Sequence, residues 1–375
     1  MTIPKFPSPG FDPQRFSNYL EQSGCDAMLL TSPENVYYAT GYPSITSAGN
    51  PILYALRNVL PFYVWVDKQG NTTLLCWGGA AAGVEFGATH LIPFPDAVQA
   101  HQALEQLLQE NKTLIDTVGI ESSCPADVYR MVAGIYGDEK VSLADEVVRR
   151  MRLVKSLQEI EYLKKSTAIV EQTVSELMEL MSVGISRPEL IRQSKYRMLK
   201  NGATGVGHIT INFGSSNPEV EIDEKLEANR LVVLDLGALY QGYASDNRRL
   251  LYSGQVPDGI RKLHETMCSI VDDVAAFIQP GKTFAEAFDL SIQLYKQNSL
   301  EPFIPNVGHT IGLNTEEEWI YKDSPTIFEP GMVLNLEMYS LYETGELIGD
   351  EETYLVDEHG AQQFTVLPRA IKPID

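Results

Sequence analysis

Apolar residues recur at helical spacing through FDPQRFSNYLEQSG (11–24) and run into the apolar stretch AMLLT (27–31), a helix followed by a buried strand. The polar SPEN that follows predicts a turn. Strands are expected at 59–66 and 72–76, and amphipathic helices at 98–110 and 125–135. A long charged helix is predicted from about Leu143 to Met181. The shift within it from VSLADEVV to the basic run RRMRLVK suggests that its first turns bridge two domains. From about Val154 onward, where the second domain begins, helices are expected at 155–182, 186–201, 257–278 and 283–297, between β-rich segments at 208–213, 230–251, 332–341 and 351–357. Ser186-Arg-Pro-Glu carries a helix-start signature, with Ser at the cap and Glu three residues on. No short-period repeat interrupts this order.

A chain of 375 residues is too long for one typical domain and fits two, 1–150 and 151–375. The longest apolar stretches, such as VLPFYVWV (59–66), are too short to span a bilayer. The opening MTIPKFPSPGFD lacks the apolar core of a secretory signal, so a cytoplasmic protein is expected. Acids outnumber bases 50 to 29, a net charge of −21, which argues against nucleic acid and anionic membranes as partners. Cys25, Cys76, Cys124 and Cys268 are scattered without a CxxC pair, so buried free thiols are expected rather than a zinc finger. With only six histidines, each one counts.

The chemistry concentrates in four segments. RLVVLDLGALYQGYASDNRRLLY (230–252) reads as two apolar strands around a tight turn at Tyr240–Tyr243. Asp235 and Asp246 interrupt those strands and are expected to lie nearly opposite one another. Two carboxylates in an apolar hairpin are costly unless cations neutralise them, although a polar-facing hairpin would also accommodate them. NVGHTIGLNTEEEW (306–319) holds His309 between glycines, without strong helix or strand periodicity; a lone histidine is often structural. EPGMVLNLEMY (329–339) is a turn leading into a strand that carries Glu337. GDEETYLV (349–356) puts Glu351 at the mouth of another strand, where Asp350-Glu351-Glu352 could equally form a solvated turn. Two Asp, one His and two Glu suit divalent Mn, Co, Fe or Zn, and such a metal pair acidifies a bound water and clamps a developing oxyanion.

In these segments the chain resembles the pita-bread superfamily of methionine aminopeptidases, Xaa-Pro peptidases and creatinases. DLGALYQGYASD, GHTIGL and EPGMVLNLE resemble its signature regions, and TSPENVYYATGY (31–42) resembles the creatinase-type N-terminal domain. The resemblance implies an α+β protein: a smaller α/β domain, then a curved antiparallel sheet with helices outside. It implies two divalent metal ions, one on Asp235 and the other on His309 and Glu337, bridged by Asp246 and Glu351. Glu337 would also relay a proton, and a metal-bound hydroxide would attack an amide of a short peptide. A homodimer, with one N-terminal domain near its partner's site, is implied as well.

The sequence departs from that pattern at three positions. Glu221 stands where prolidases carry a histidine after a short loop, Glu316 stands seven residues after His309 in place of a second histidine, and Arg248 replaces a threonine. Glutamate cannot donate to an oxyanion unless protonated, so catalysis by the usual route is weakened. Glu221 and Glu316 could instead receive a cationic group and Arg248 a carboxylate, or Arg248 could pair with one of the glutamates. His208, in GVGHITINFG, is a candidate to replace a lost histidine, whereas His264 fits a helix interior. Three functions follow: an Xaa-Pro-type metallohydrolase; a non-peptidase amidino- or amidohydrolase or lyase acting on a small molecule; and a binding protein with a vestigial site.

Overall fold

The structure, a computed structural model, describes residues 2–217, 220 and 222–374. The chain divides into two compact units, Met1–Gln158 and Glu159–Asp375. Among the described residues no helix is long and apolar enough to cross a membrane.

In the first unit, Ala27–Leu30, Tyr63–Asp67, Thr72–Trp77, His90–Phe94, Val118–Ile120 and Val141–Leu143 form one mixed six-stranded sheet. Helix Pro13–Ser23 starts at Asp12, whose side chain accepts from the N–H groups of Gln14 and Arg15, and stops at Gly24 with φ 76°. SPEN is not a turn but the start of helix Pro33–Thr40. Ser32 caps it, Pro33 enters its first turn, and buried Glu121 accepts from the Ser32 N–H and from Asn35. Turn and helix-start signals share these residue types, and only the buried positions that follow decide between them. The expected strand 59–66 begins at Tyr63, because Val59 is exposed. His90–Phe94, Val118–Ile120 and Val141–Leu143, which patterning did not bring out, join the sheet by parallel pairing. At three to five residues they are too short to show a period.

The helix expected to run from Leu143 to Met181 is two, Asp145–Leu153 and Leu157–Met178. Val154 takes an extended conformation and breaks them apart.

The second unit is built on two five-stranded sheets. In the first, Leu231–Tyr240 is flanked by Gly205–Phe213 on one side and by Tyr243–Ala244 and Asn247–Ser253 on the other, all antiparallel, with Lys372–Ile374 parallel at the edge. In the second, Glu318–Trp319, Gly308–Thr310, Val333–Leu341, Leu347–Asp357 and Gly360–Gln363 pair antiparallel in that order. Side chains alternate along a strand. Val232, Leu234, Leu236 and Ala238 therefore pack with Val170, Val174 and Leu177 of helix Leu157–Met178 and with Leu190 and Met198 of helix Arg187–Lys200. Asp235 points to the other face.

Helix Asp258–Phe277 packs on the second sheet, and Phe284–Gln297 follows it behind a capping box of Thr283 and Glu286. The sheets meet along Asn247–Ser253 and Leu347–Asp357. There Arg248 Nη2 donates to Leu347 O at 3.0 Å, and Arg249 Nη1 to Glu351 O at 3.3 Å. Buried Arg249 also lies 2.9 Å from buried Glu352. Asp350, Glu351 and Glu352 are thus a buried strand segment rather than a solvated turn, and Glu351 lies mid-strand rather than at its mouth.

Candidate metal centre

Register decides how the first sheet presents its charges. Asp235 is flanked by Thr210 on one side and by Arg248, not Asp246, on the other. The hairpin register is the same on both sides of Asp246, Leu236 facing Asn247 and Leu239 facing Ala244. Asp246 therefore stands across from Gly237, two residues along from Asp235, nearly but not directly opposite it. His208 is the partner of Gly237 on the other strand. A Cβ on Gly237 would come within 2.5 Å of His208 Nδ1, so only glycine leaves room for the ring. Across that gap His208 Nε2 lies 3.0 Å from Asp235 Oδ1 and 3.0 Å from Asp246 Oδ1. The contact with Asp235 has hydrogen-bond geometry, whereas buried Asp246 Oδ1 has no hydrogen-bond partner among the described residues.

The second sheet supplies the rest. Glu337 and Glu351 pair directly across adjacent strands, and His309 pairs with Asn335, two residues before Glu337. His309 lies in a strand, Gly308–Thr310, where its segment showed no clear period, because the strand is only three residues long. Its Nε2 lies 3.6 Å from Asp246 Oδ2, which joins the two sheets' contributions. Asn335 Nδ2 donates to Glu351 Oε1 at 2.6 Å. Tyr339 Oη contacts both Glu337 Oε2 at 2.8 Å and Glu351 Oε2 at 3.0 Å. Tyr339 lies against Gly349, where a Cβ would come within 1.9 Å of its ring.

Burial and mutual repulsion set the electrostatics. Burial, then the Asp246 carboxylate, pushes Glu337 up to about 8. Burial followed by Asp246, Asp235 and Glu337 holds Glu351 well above the usual carboxylate range. Burial opposes charge on His208, but Asp246 and Asp235 outweigh it and hold the imidazole well above its ordinary value. Burial also opposes ionisation of Asp246, yet His208 and His309 keep its carboxyl below the usual range. Crowded acidic groups that resist ionisation form a site that a cation would complete.

Asp235, Asp246, Glu337, His208 and Arg248 line one cavity of about 700 Å³, with Phe303, Ile304, Trp319 and Leu347 as apolar wall. Glu316 lines it too, and its charge adds to the rise of Glu337. Arg248 is buried, stacks on Tyr339 at 4.6 Å and lies 3.5 Å from Asp235 Oδ2. It therefore pairs with an aspartate, not with the glutamate offered as its structural partner. Glu221 lies outside the described residues. His264 is buried in helix Asp258–Phe277, between the carbonyls of Gly349 and Arg369. Of the four free cysteines, Cys25 and Cys76 are buried, but Cys124 and Cys268 are partly exposed, against expectation. Sequence reading missed Tyr339, Asn335 and Trp319. A period-2 reading of 333–341 would have put Asn335 and Tyr339 on the face of Glu337.

Residues 161–358 match metallopeptidase family M24, and residues 14–154 match the creatinase/prolidase N-terminal domain. The Xaa-Pro dipeptidase of Pyrococcus furiosus is 24% identical over 368 residues, covering 96% of this chain and 98% of the relative. An uncharacterized peptidase of Bacillus subtilis is 26% identical over 375 residues, covering 96% and 98%. Among solved structures, the prolidase from Pyrococcus horikoshii superposes with a TM-score of 0.81 at 22% identity, covering 95% of this chain and 98% of that one. An X-Pro aminopeptidase from Thermotoga maritima gives 0.79 at 22% identity, covering 97% and 99%.

Proposed function

The chain belongs to metallopeptidase family M24, with a creatinase/prolidase N-terminal domain ahead of the metallopeptidase region, and from that premise we propose that it is a dinuclear-metal-dependent amide hydrolase acting on short peptides of the Xaa-Pro type. One observation carries this reading. Asp235, Asp246, His309, Glu337 and Glu351, contributed by two sheets, converge, with His309 3.6 Å from Asp246, Glu351 opposite Glu337, and the Asp246 and Asp235 carboxylates raising both Glu337 and Glu351. Oxygen donors with one imidazole suit Mn, Co, Fe or Zn, and Asp246 Oδ1, buried and without a hydrogen bond, fits the role of a metal donor.

When bound, the metal pair supplies an acidified water and electrostatic stabilisation of the developing oxyanion. The protein's own residues do the rest. Asp235, Asp246, His309, Glu337 and Glu351 would hold the two cations, Asp235 toward one, His309 and Glu337 toward the other, with Asp246 and Glu351 shared. Glu337, held near neutrality by its surroundings, is suited to carry a proton from the attacking water to the leaving nitrogen. The apolar side chains of Phe303, Ile304 and Trp319 offer a surface on which a compact ring such as proline can pack. Glu316 on the same wall favours substrates with a cationic amine nearby. That position also supports a second reading, a small amine-bearing amide in place of a peptide.

The test is metal content together with a substrate panel. Purified protein reconstituted with Mn²⁺ is expected to hold two metals per chain and to cleave Xaa-Pro dipeptides, and Asp246→Ala to lose both properties. Metal binding with turnover only of small amines or amides would select the second reading. Failure to retain stoichiometric metal would overturn both.

A further inference from the structure

We propose that His208 is a further metal ligand, serving the cation held by Asp235 and Asp246 as His309 serves the other. The inference rests on the dinuclear reading above and assigns a sixth side chain to it.

Three observations carry it. The first is spacing. His208 Nε2 stands 3.0 Å from one oxygen of Asp235 and 3.0 Å from one oxygen of Asp246. The three side chains each offer a donor atom, and these atoms all lie within 4.8 Å of one another. Two donors each about 2.1 Å from one ion, at right angles around it, are about 3.0 Å apart. The spacing is that of neighbouring donors on a single ion.

The second observation is the opening that admits the ring. Gly237 stands between His208 and Asp246 in the register, and a side chain there would collide with His208 Nδ1 at 2.5 Å. The ring leans over a glycine toward two carboxylates. As a mere counter-ion its one Nε2–H can point squarely at only one carboxylate; the contact with Asp235 has hydrogen-bond geometry, and buried Asp246 Oδ1 is left with the ion-pair contact alone. A cation shared among the three groups satisfies that oxygen.

The third is compensation. Arg248 Nη1 lies 3.5 Å from Asp235 Oδ2, so that oxygen already faces a fixed guanidinium. Asp235 is left with Oδ1, the oxygen that faces His208 Nε2, to offer to a cation, and chelation through both oxygens is disfavoured. A neutral nitrogen from His208 restores the missing donor without adding negative charge to a crowded acidic site.

The experiment uses the full chain, stripped of metal and reloaded with Mn²⁺ or Zn²⁺ alone. Bound metal is counted at equilibrium, and X-ray absorption of the Zn²⁺ form counts imidazoles per metal. The expected result for the unaltered chain is two cations and on average one imidazole per metal. In His208→Ala, one cation should bind about 100-fold more weakly or worse, beyond the roughly 10–100-fold cost of losing an outer hydrogen-bonding partner. At metal concentrations that keep both sites filled, the average should fall to one imidazole per two metals. His208→Gln, which can still donate a hydrogen bond to Asp235, should show the same loss of imidazole. If the unaltered chain holds two cations with one imidazole between them, or His208→Gln binds both as tightly as the unaltered chain, the inference is overturned and the function stands. If the unaltered chain binds no metal, both fall together.

Discussion

Glu337 and Glu351 face each other across adjacent strands and share one phenol, Tyr339 Oη lying 2.8 Å from the first and 3.0 Å from the second. A phenol carries a single proton and can fully satisfy one carboxylate at a time. Like charges directly opposed across a ladder destabilise a sheet. Without metal, this pair therefore holds an additional proton; with metal, a cation takes that proton's place.

Glu351→Gln tests the exchange. The carboxyl of Glu351 already resists ionisation, so the amide mimics its protonated form. Metal-free Glu351→Gln should melt within a few degrees of the unaltered chain, as expected when stability changes by no more than about 1 kcal/mol. Saturating Mn²⁺ should raise the melting temperature of the unaltered chain, by about 2.7 kcal/mol of stability at a hundredfold excess over Kd. In the variant that rise should vanish. Thermal melts with and without Mn²⁺ check both statements.

Glu337 sets a pH dependence. Its folded value of about 8 exceeds the ordinary 4.5, so between those values the folded state holds a proton that the unfolded chain has released. Unfolding then releases protons, and the stability of the metal-free protein should fall as pH rises from about 4.5 to about 8. Metal binding displaces the same proton, so Mn²⁺ affinity should climb over that window. Denaturant titrations at pH 5.5 and pH 8 read the first effect. Glu337→Gln should reduce the slope, with Glu351, Glu352 and His208 supplying the remainder, and an unchanged slope would remove Glu337 as a source.

Glu352 is structural. Burial pushes its carboxyl up to about 7 despite the adjacent Arg249, and both partners are buried. Glu352→Ala strands the guanidinium and should cost about 3–5 kcal/mol. Pairing it with Arg249→Met should recover part of that loss. Urea unfolding of the single and double variants measures the coupling.

Trp319 offers an optical readout. Its ring lies 5.5 Å from that of His309 on the cavity wall. Metal loading should change its emission, and Trp319→Phe should abolish that change without altering the metal count. A persisting signal would assign it to Trp65 or Trp77.

Glu316→His returns a donor to the cavity wall. Peptide hydrolysis should rise about 10-fold or more in kcat/KM, since one oxyanion donor is worth about 100-fold in favourable cases. Steady-state rates on an Xaa-Pro dipeptide decide it; no gain would mean that another group already serves.

Long amphipathic helices and the strands that carry buried acidic groups were legible because each carries its own signal. Helix Phe284–Gln297 announces its capping box, and Asp235 interrupts an otherwise apolar strand. What the sequence could not reveal depends on register. That Arg248 rather than Asp246 lies beside Asp235, and that Gly237 opens a path for His208, follows from pairings among three strands. The break at Val154 was hidden because charged residues on both sides keep a helical pattern.

Asp235 and Asp246 hang from one sheet, while His309, Glu337 and Glu351 hang from the other, and the sheets touch along a seam. A cation gripped from both sides would act as a rivet across that seam. Mechanical strain that prises the sheets apart loosens the ion first, and ion escape weakens the seam in return. Occupancy and rigidity would therefore rise and fall together.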